Sequence, residues 1–446
     1  MDSLLNNGKK QKIHFIGIGG VSTSALAKHL LSKGITVSGS DINYNEYCFE
    51  LENRGVKVYK RHKRNNLKGA TAVVYTGAIN GKNIELKSAI AKGLPVIKRS
   101  QLLGAISNEY KNSVAVSGCH GKTTTTAMIA NVLISAGVDP TVFLGGDSHF
   151  GNYRLGKSQY AVLEACEYQK NFLDIPAKIK VVLNVDYDHP DTYENVEQTL
   201  NAFSQFIEDS IAVINADDIY SSQLFNDKTV TYGVEKLSTY MAKNISQGQN
   251  GYSFTVYKHG EKTCKINLNV LGKHNVYCAL ATFATCDLLG VPKNFIKIGL
   301  ESFNGVKRRM EQIGEWCGKN AYADYAHHPK EIIASIRAFK EKEENFITVF
   351  QPHTYTRTKT LINEFVGALK DCTPLIIYNT FSARERALKG GRAIDLYEKL
   401  KGKTVYYAKN LKQLHKIVKQ LDGEKIIFLG AGDLYQKIKK QIKGKI

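Results

Sequence analysis

Apolar residues fall into short runs that end in glycine or an acid and alternate with stretches of helical spacing. IHFIGIGG (13–20) reads as a strand closing on glycines, Ser24 to Leu31 as a helix, and ITVSGSD (35–41) as a second strand. Near residue 110 the pattern restarts: NSVAVS predicts a strand, GCHGKT a glycine loop, and Ala127, Met128, Ile129, Val132, Leu133 and Ala136 the apolar face of a helix with Gly137 as its cap. Strands follow at YAVLEA, KVVLNV and SIAVINA, then a polar, turn-rich stretch from about Thr231 to Lys265 and a helix from Asn275 to about Leu289. After GVKRRM the alternation resumes with strands at NFITVF, PLIIY and KIIFLG. The fold class expected is α/β, in three consecutive domains over residues 1–108, 109–306 and 307–446. The first and last read as Rossmann-like and the middle one as a phosphate-loop domain on a central parallel sheet.

The length of 446 residues agrees with about three domains. Hydrophobic residues make up 43% and charged ones 23%, which excludes a collagen-like or disordered chain. No apolar stretch reaches the roughly 18 residues of a membrane span, and the N-terminus lacks a signal-peptide pattern, so a cytoplasmic protein is expected. The 8 cysteines include no C-x-x-C pair and read as free thiols. A net charge of +20 would suit nucleic acid, but the basic residues have no aromatic interleaving and read as solvated surface.

Two loops carry candidate chemistry. After Gly17 and Gly19 the third glycine position of a dinucleotide fingerprint holds Ser22, while Asp41 closes the second strand where a ribose-binding acid is expected. A nucleotide site and a tight turn without ligand both remain open on this motif. Gly118-Cys119-His120-Gly121-Lys122-Thr123 is the stronger signal: amides at a helix start favour phosphate, Lys122 adds charge and the Thr123 hydroxyl can ligate Mg²⁺. Glu164 and Asp188-His189 end strands of the same unit and could reach one metal ion. A basic ATPase acting on nucleic acid and a nicotinamide dehydrogenase are the readings from other classes.

Taken in order, GIGG, SGSD, GCHGKTTTT, EACEY, DYDHPDTY, GKHN, GVKRR, DYAHHPKE, FQPHTYTRT and GAGD, from about residue 12 to 436, resemble the Mur ligases, most of all their alanine-adding type. The resemblance implies an ATP- and Mg²⁺-dependent enzyme of peptidoglycan precursor synthesis. Its substrates would be UDP-N-acetylmuramate and L-alanine, or another amino acid or a recycled peptide in a related ligase. No nucleic-acid partner and a monomer or homodimer are implied. By resemblance Gly118, Cys119, His120, Gly121, Lys122, Thr123, Thr124, Asn275, Arg309 and Asp324 would bind ATP. Thr123, Glu164 and His189 would bind Mg²⁺; Gly17, Gly19, Gly20, Ser40 and Asp41 the UDP-sugar; Tyr325, His327 and Arg357 the amino acid. Lys122, Glu164, His189, Arg309, Asp324 and His327 would be catalytic, His327 as candidate base. The chain departs from the family pattern at Ser22, Thr23, Cys119, Cys278, Ala323 and Thr354. Between Pro190 and Glu208 it has no lysine, whereas the later-acting relatives carry a carbamylated one after the DH motif.

Overall fold

A computed structural model describes residues 11–187, 192–249, 251–343, 345–383 and 385–444. Asp188 and His189 lie outside them. The chain divides into two compact units, one of residues 1–245, 254–267 and 277–303, the other of residues 246–253, 268–276 and 304–446.

The first unit begins with five parallel strands, β1 (Lys12–Ile16), β2 (Thr36–Ser40), β3 (Lys57–Tyr59), β4 (Ala72–Tyr75) and β5 (Val96–Lys98), in the order β3-β2-β1-β4-β5. Helices α1 (Val21–Ser32), α2 (Glu46–Asn53) and α3 (Ile84–Ala91) and a 3-10 turn over Arg64–Leu67 connect them, and α4 (Arg99–Asn108) follows β5. The order reverses at β1, so the loop after that strand opens at the switch point where doubly wound sheets bind ligands.

The second sheet has ten strands: β6 (Asn112–Ser117), β7 (Thr141–Ser148), β8 (Gly151–Arg154), β9 (Tyr160–Glu164), β10 (Ile179–Val182), β11 (Ile211–Asn215), β12 (Thr229–Gly233), β13 (Tyr240–Gln247), β14 (Tyr252–Lys258) and β15 (Glu261–Asn267). Their order is β15-β14-β13-β12-β11-β10-β6-β9-β7-β8. Its middle, from β7 through β12, is parallel, and every residue of β6 after Asn112 is buried, as a strand covered on both faces must be. The sheet changes direction beside β6, which places the loop before α5 (Lys122–Ser135) at a second switch point. The stretch expected to be turn-rich between Thr231 and Lys265 instead forms most of four strands. Tyr252, Phe254 and Val256 are buried at every second position, which marks β14 as a half-buried strand.

One buried apolar cluster takes in Phe15, Leu26 and Ile106 of the first sheet's layers together with Phe143, Phe172 and Phe203 of the second's. The contact between them is close: a Cβ built on Gly104 of α4 would fall 1.8 Å from the Asp174 carbonyl oxygen. Gly104→Ala is expected to lower the stability of this unit by about 1–3 kcal/mol, read from thermal unfolding, because the backbone on both sides would have to separate.

The second unit holds β16 (Glu311–Trp316), β17 (Lys319–Asp324), β18 (Phe346–Phe350), β19 (Leu375–Tyr378), β20 (Val405–Ala408) and β21 (Lys425–Leu429), ordered β16-β17-β21-β18-β19-β20. Only β16 runs antiparallel to its neighbour. Phe339, Phe350 and Phe365 fill one face of the sheet, and Trp316, Leu414 and Phe428 the other.

Candidate active site

The loop after β1 is held by its own backbone and by three polar side chains. Gly17 adopts φ +85°, which favours glycine, and its N–H donates to the Ser40 carbonyl (2.8 Å). The Gly19 N–H donates to Asp41 Oδ2 (2.9 Å), and Asn45 Nδ2 donates to the Gly19 carbonyl (2.8 Å). Asp41 therefore shapes the loop. Thr23, one of the departures from the family pattern, donates its hydroxyl to the carbonyls of Gly17 (2.7 Å) and Gly20 (3.0 Å). Gly20 precedes the first residue of α1, so the helix's unpaired amides and dipole point at whatever occupies the loop.

Ser40 turns the other way. Its hydroxyl is buried and donates to Glu85 Oε2, at 2.5 Å, with His62 Nδ1 2.9 Å away. Glu85, fully buried, also faces Asn66 Nδ2 and His62, and lies 3.6 Å from His14 Nε2. Burial pushes the Glu85 carboxyl up. The proximity of His14 and the hydrogen bonds from Ser40 and Asn66 outweigh it and hold the group down to about 2.

The second loop follows β6. Gly118 (φ +133°) and Gly121 (φ +85°) take backbone conformations that side chains disfavour, and Gly121 turns the chain into α5. A Cβ on Gly121 would sit 3.2 Å from Cys278 Sγ, so that departure places a small thiol directly under the loop. The Cys119 and His120 N–H groups donate to the carbonyl (3.2 Å) and side-chain oxygen (2.8 Å) of Asn184, which ties the loop to the segment following β10. The first-turn amides of α5, at Lys122, Thr123 and Thr124, are those a helix leaves for a ligand.

Lys122 Nζ donates to the Gly118 carbonyl (2.6 Å) and to both carboxylate oxygens of Glu167 (2.9 and 3.1 Å), whose side chain is 1% exposed. Burial would lower the lysine's pKa, but the Glu167 charge holds it well above the usual range, so it is an ammonium at any working pH. Glu164, at the end of β9, accepts the Gly145 N–H at 2.8 Å. With the buried Thr123 hydroxyl it supplies the hard oxygen donors that suit Mg²⁺.

In the second unit, Asp324 ends β17 and is buried. It accepts the N–H groups of Met310 (2.9 Å) and Ala326 (2.9 Å) and the Ser335 hydroxyl (3.0 Å). Arg309 lies between two residues with positive φ, Arg308 (+60°) and Met310 (+52°), a strained backbone in the left-handed region. The Arg308 guanidinium is stacked between the rings of Tyr325 (4.6 Å) and Tyr435 (4.8 Å) and donates to the Gly430 carbonyl (2.8 Å), while Arg309 lies 5.2 Å from the Tyr325 ring. The rings of Tyr325 and His327 are 5.3 Å apart, those of His327 and His353 5.6 Å, and Arg357 Nη1 is 3.5 Å from His353 Nδ1. His327 Nδ1 donates to the Tyr325 carbonyl (3.0 Å), so Nε2 is the basic nitrogen of the neutral ring. Asn275 is buried, its amide donating to the Leu271 carbonyl at 2.6 Å.

Within the first unit the geometry brings the Lys122 loop and Glu164 together and sets the Gly17–Gly20 loop at the switch point of the other sheet; within the second it gathers Arg309, Asp324, Tyr325, His327 and Arg357. Sequence reasoning missed Glu167, Asn184, Glu85 and Arg308, none of which stands in a position whose spacing announces a partner.

Two doubly wound sheets with glycine loops at their switch points, one carrying a half-buried lysine at the start of a helix, are the build of a nucleotide-using α/β enzyme. Three family models match in succession: the Mur ligase family catalytic domain over residues 12–111, the Mur ligase middle domain over 116–286, and the Mur ligase glutamate ligase domain over 308–432. The chain belongs to the Mur ligase family. It is 42% identical to UDP-N-acetylmuramate–L-alanine ligase of Acetivibrio thermocellus, with 97% of this chain and 96% of that protein covered. The identity to the enzyme of that name from Aquifex aeolicus is 39%, covering 95% of each. The crystal structure of the UDP-N-acetylmuramate-alanine ligase of Thermotoga maritima superposes with a TM-score of 0.84 at 31% identity, covering 97% of this chain and 98% of that one.

Proposed function

We propose that the chain is an ATP-dependent ligase that joins L-alanine to the lactyl carboxylate of UDP-N-acetylmuramate in peptidoglycan precursor synthesis. The observation that carries this reading is the half-buried Lys122, held at the mouth of a helix-opening glycine loop by Glu167, in a chain similar over nearly its whole length to alanine ligases. The domains run 1–108, 109–306 and 307–446, and the enzyme works in the cytoplasm.

A carboxylate is a poor electrophile, so it first attacks the γ-phosphorus of ATP, forming an acyl phosphate and releasing ADP. Lys122, with Thr123, Thr124 and the loop Gly118, Cys119, His120 and Gly121, holds the phosphates; Asn275, Arg309 and Asp324 contact the rest of the nucleotide. Thr123, Glu164 and His189 hold Mg²⁺, which offsets phosphate charge when bound. Gly17, Gly19 and Gly20 receive the UDP-sugar, with Asp41 and Ser40 behind them. Tyr325, His327 and Arg357 receive L-alanine. Its amine attacks the acyl carbon, His327 Nε2 takes the amine proton, and the tetrahedral adduct expels inorganic phosphate to leave the amide.

Phosphate release from ATP and Mg²⁺ tests the proposal, with UDP-N-acetylmuramate present and L-Ala, Gly, L-Ser, D-Glu or an L-Ala-containing tripeptide added in turn. Release is expected only with both the UDP-sugar and L-Ala. Turnover confined to the tripeptide would move the chain to peptide recycling, and hydrolysis indifferent to the UDP-sugar would end the ligase reading.

A further inference from the structure

Arg99, to which neither the motifs nor the proposed mechanism gives a role, is the first residue of α4 and follows β5 directly. β5 and β1 run parallel within one sheet, so Arg99 and the loop Gly17–Gly20 stand at the same edge. The side chain reaches across that edge, and its Nη1 donates to the hydroxyl of Ser22 at 2.8 Å. Ser22 is the second residue of α1, and the family pattern has no hydroxyl there. Among the described residues this is the guanidinium's one hydrogen bond, and no carboxylate comes within the 4.0 Å of an ion pair. A guanidinium has five N–H donors, and this one is poorly hydrated: burial lowers its pKa, with Cys166, Glu164 and Asp174 opposing from a greater distance. A half-buried, permanent cation with donors to spare, pinned beside the N-terminus of a helix, is built to receive a bulky anion.

We infer that Arg99 is a substrate-binding residue that grips the diphosphate of the UDP-sugar, with Ser22 fixing the fork of the guanidinium at the mouth of α1. This rests on the reading of the Gly17–Gly20 loop as the UDP-sugar site and adds to it the group that neutralises the diphosphate. Planar, bidentate donors suit a phosphate better than the point charge of lysine, so Arg99→Lys is expected to recover only part of the binding.

Steady-state kinetics with UDP-N-acetylmuramate, together with inhibition by UDP, which has the diphosphate but no lactyl carboxylate, test the inference. For Arg99→Gln, the KM for the UDP-sugar and the inhibition constant of UDP should both rise by about 10- to 100-fold, with kcat and the KM for ATP nearly unchanged. Ser22→Ala, which frees the fork without removing its charge, should shift both in the same direction by a smaller factor. A rise for the UDP-sugar with UDP unaffected would assign Arg99 to the lactyl carboxylate and overturn the inference, as would a fall in kcat alone. Unchanged constants with a lowered thermal midpoint would reduce Arg99 to a structural brace. If the unaltered enzyme binds neither UDP-N-acetylmuramate nor UDP, the reading of the loop itself fails, an outcome distinct from any effect of the variants.

Discussion

Lys122→Ala is expected to lower kcat by about 10²–10³-fold, because it removes a fixed positive charge from the phosphoryl group in transit. The same substitution should lower stability by about 3–5 kcal/mol, since Glu167, 1% exposed, loses the ammonium that both its carboxylate oxygens face. The two effects separate in a double variant. Lys122→Ala combined with Glu167→Gln removes the buried charge as well, so most of the stability should return while the rate stays low. Phosphate-release assays and thermal unfolding on the single and double variants check this. Recovery of the rate along with the stability would show that Lys122 serves the fold alone.

The second large effect belongs to Glu85. Its carboxyl is held down to about 2 in the folded chain against an ordinary value near 4.5, which corresponds to about 3 kcal/mol of stability. Because the folded value is the depressed one, that contribution is complete above pH 4.5 and is lost as pH falls from there through about 2. Glu85→Ala should lower stability at neutral pH by at least this amount, because Ser40, Asn66 and His62 lose their shared buried acceptor. It should also flatten the acid limb of the stability curve. Hydrogen exchange in β1, β2 and β4 at pH 7, 4.5 and 3 reads the effect where it arises. A variant whose protection falls with acid as steeply as the unaltered chain's would contradict the assignment.

The sequence made both glycine loops legible because a strand ending in glycine and followed by helical spacing has few other structures open to it. β1, α1 and β2 at one loop, and β6 and α5 at the other, lie within a residue or two of where the apolar runs place them, apart from the end of β1, which stops at Ile16 before the glycines, and the start of α1. The strands between Thr229 and Asn267 were harder to read. Their buried positions alternate with lysine, serine and threonine, and Gly248, Gly251 and Gly260 break the pattern into pieces that look like turns. The supporting residues were illegible for a different reason: their partners are remote. Lys122 meets Glu167 across 45 positions, His120 meets Asn184 across 64 and Arg99 meets Ser22 across 77, and no local spacing encodes such pairs.

The seam at Gly104 bears on which donors the enzyme can accept. With α4 pressed against the backbone of Asp174 and one apolar core running through both sheets of the first unit, the distance from the Gly17–Gly20 loop to the Lys122 loop is set by the fold. Such a frame works as a gauge. On the proposed reading of the two loops, a sugar nucleotide anchored at one would offer its acid to the other only if its own span matches. Donors lengthened or shortened by a single sugar ring would be turned away by reach alone, whatever groups they carry.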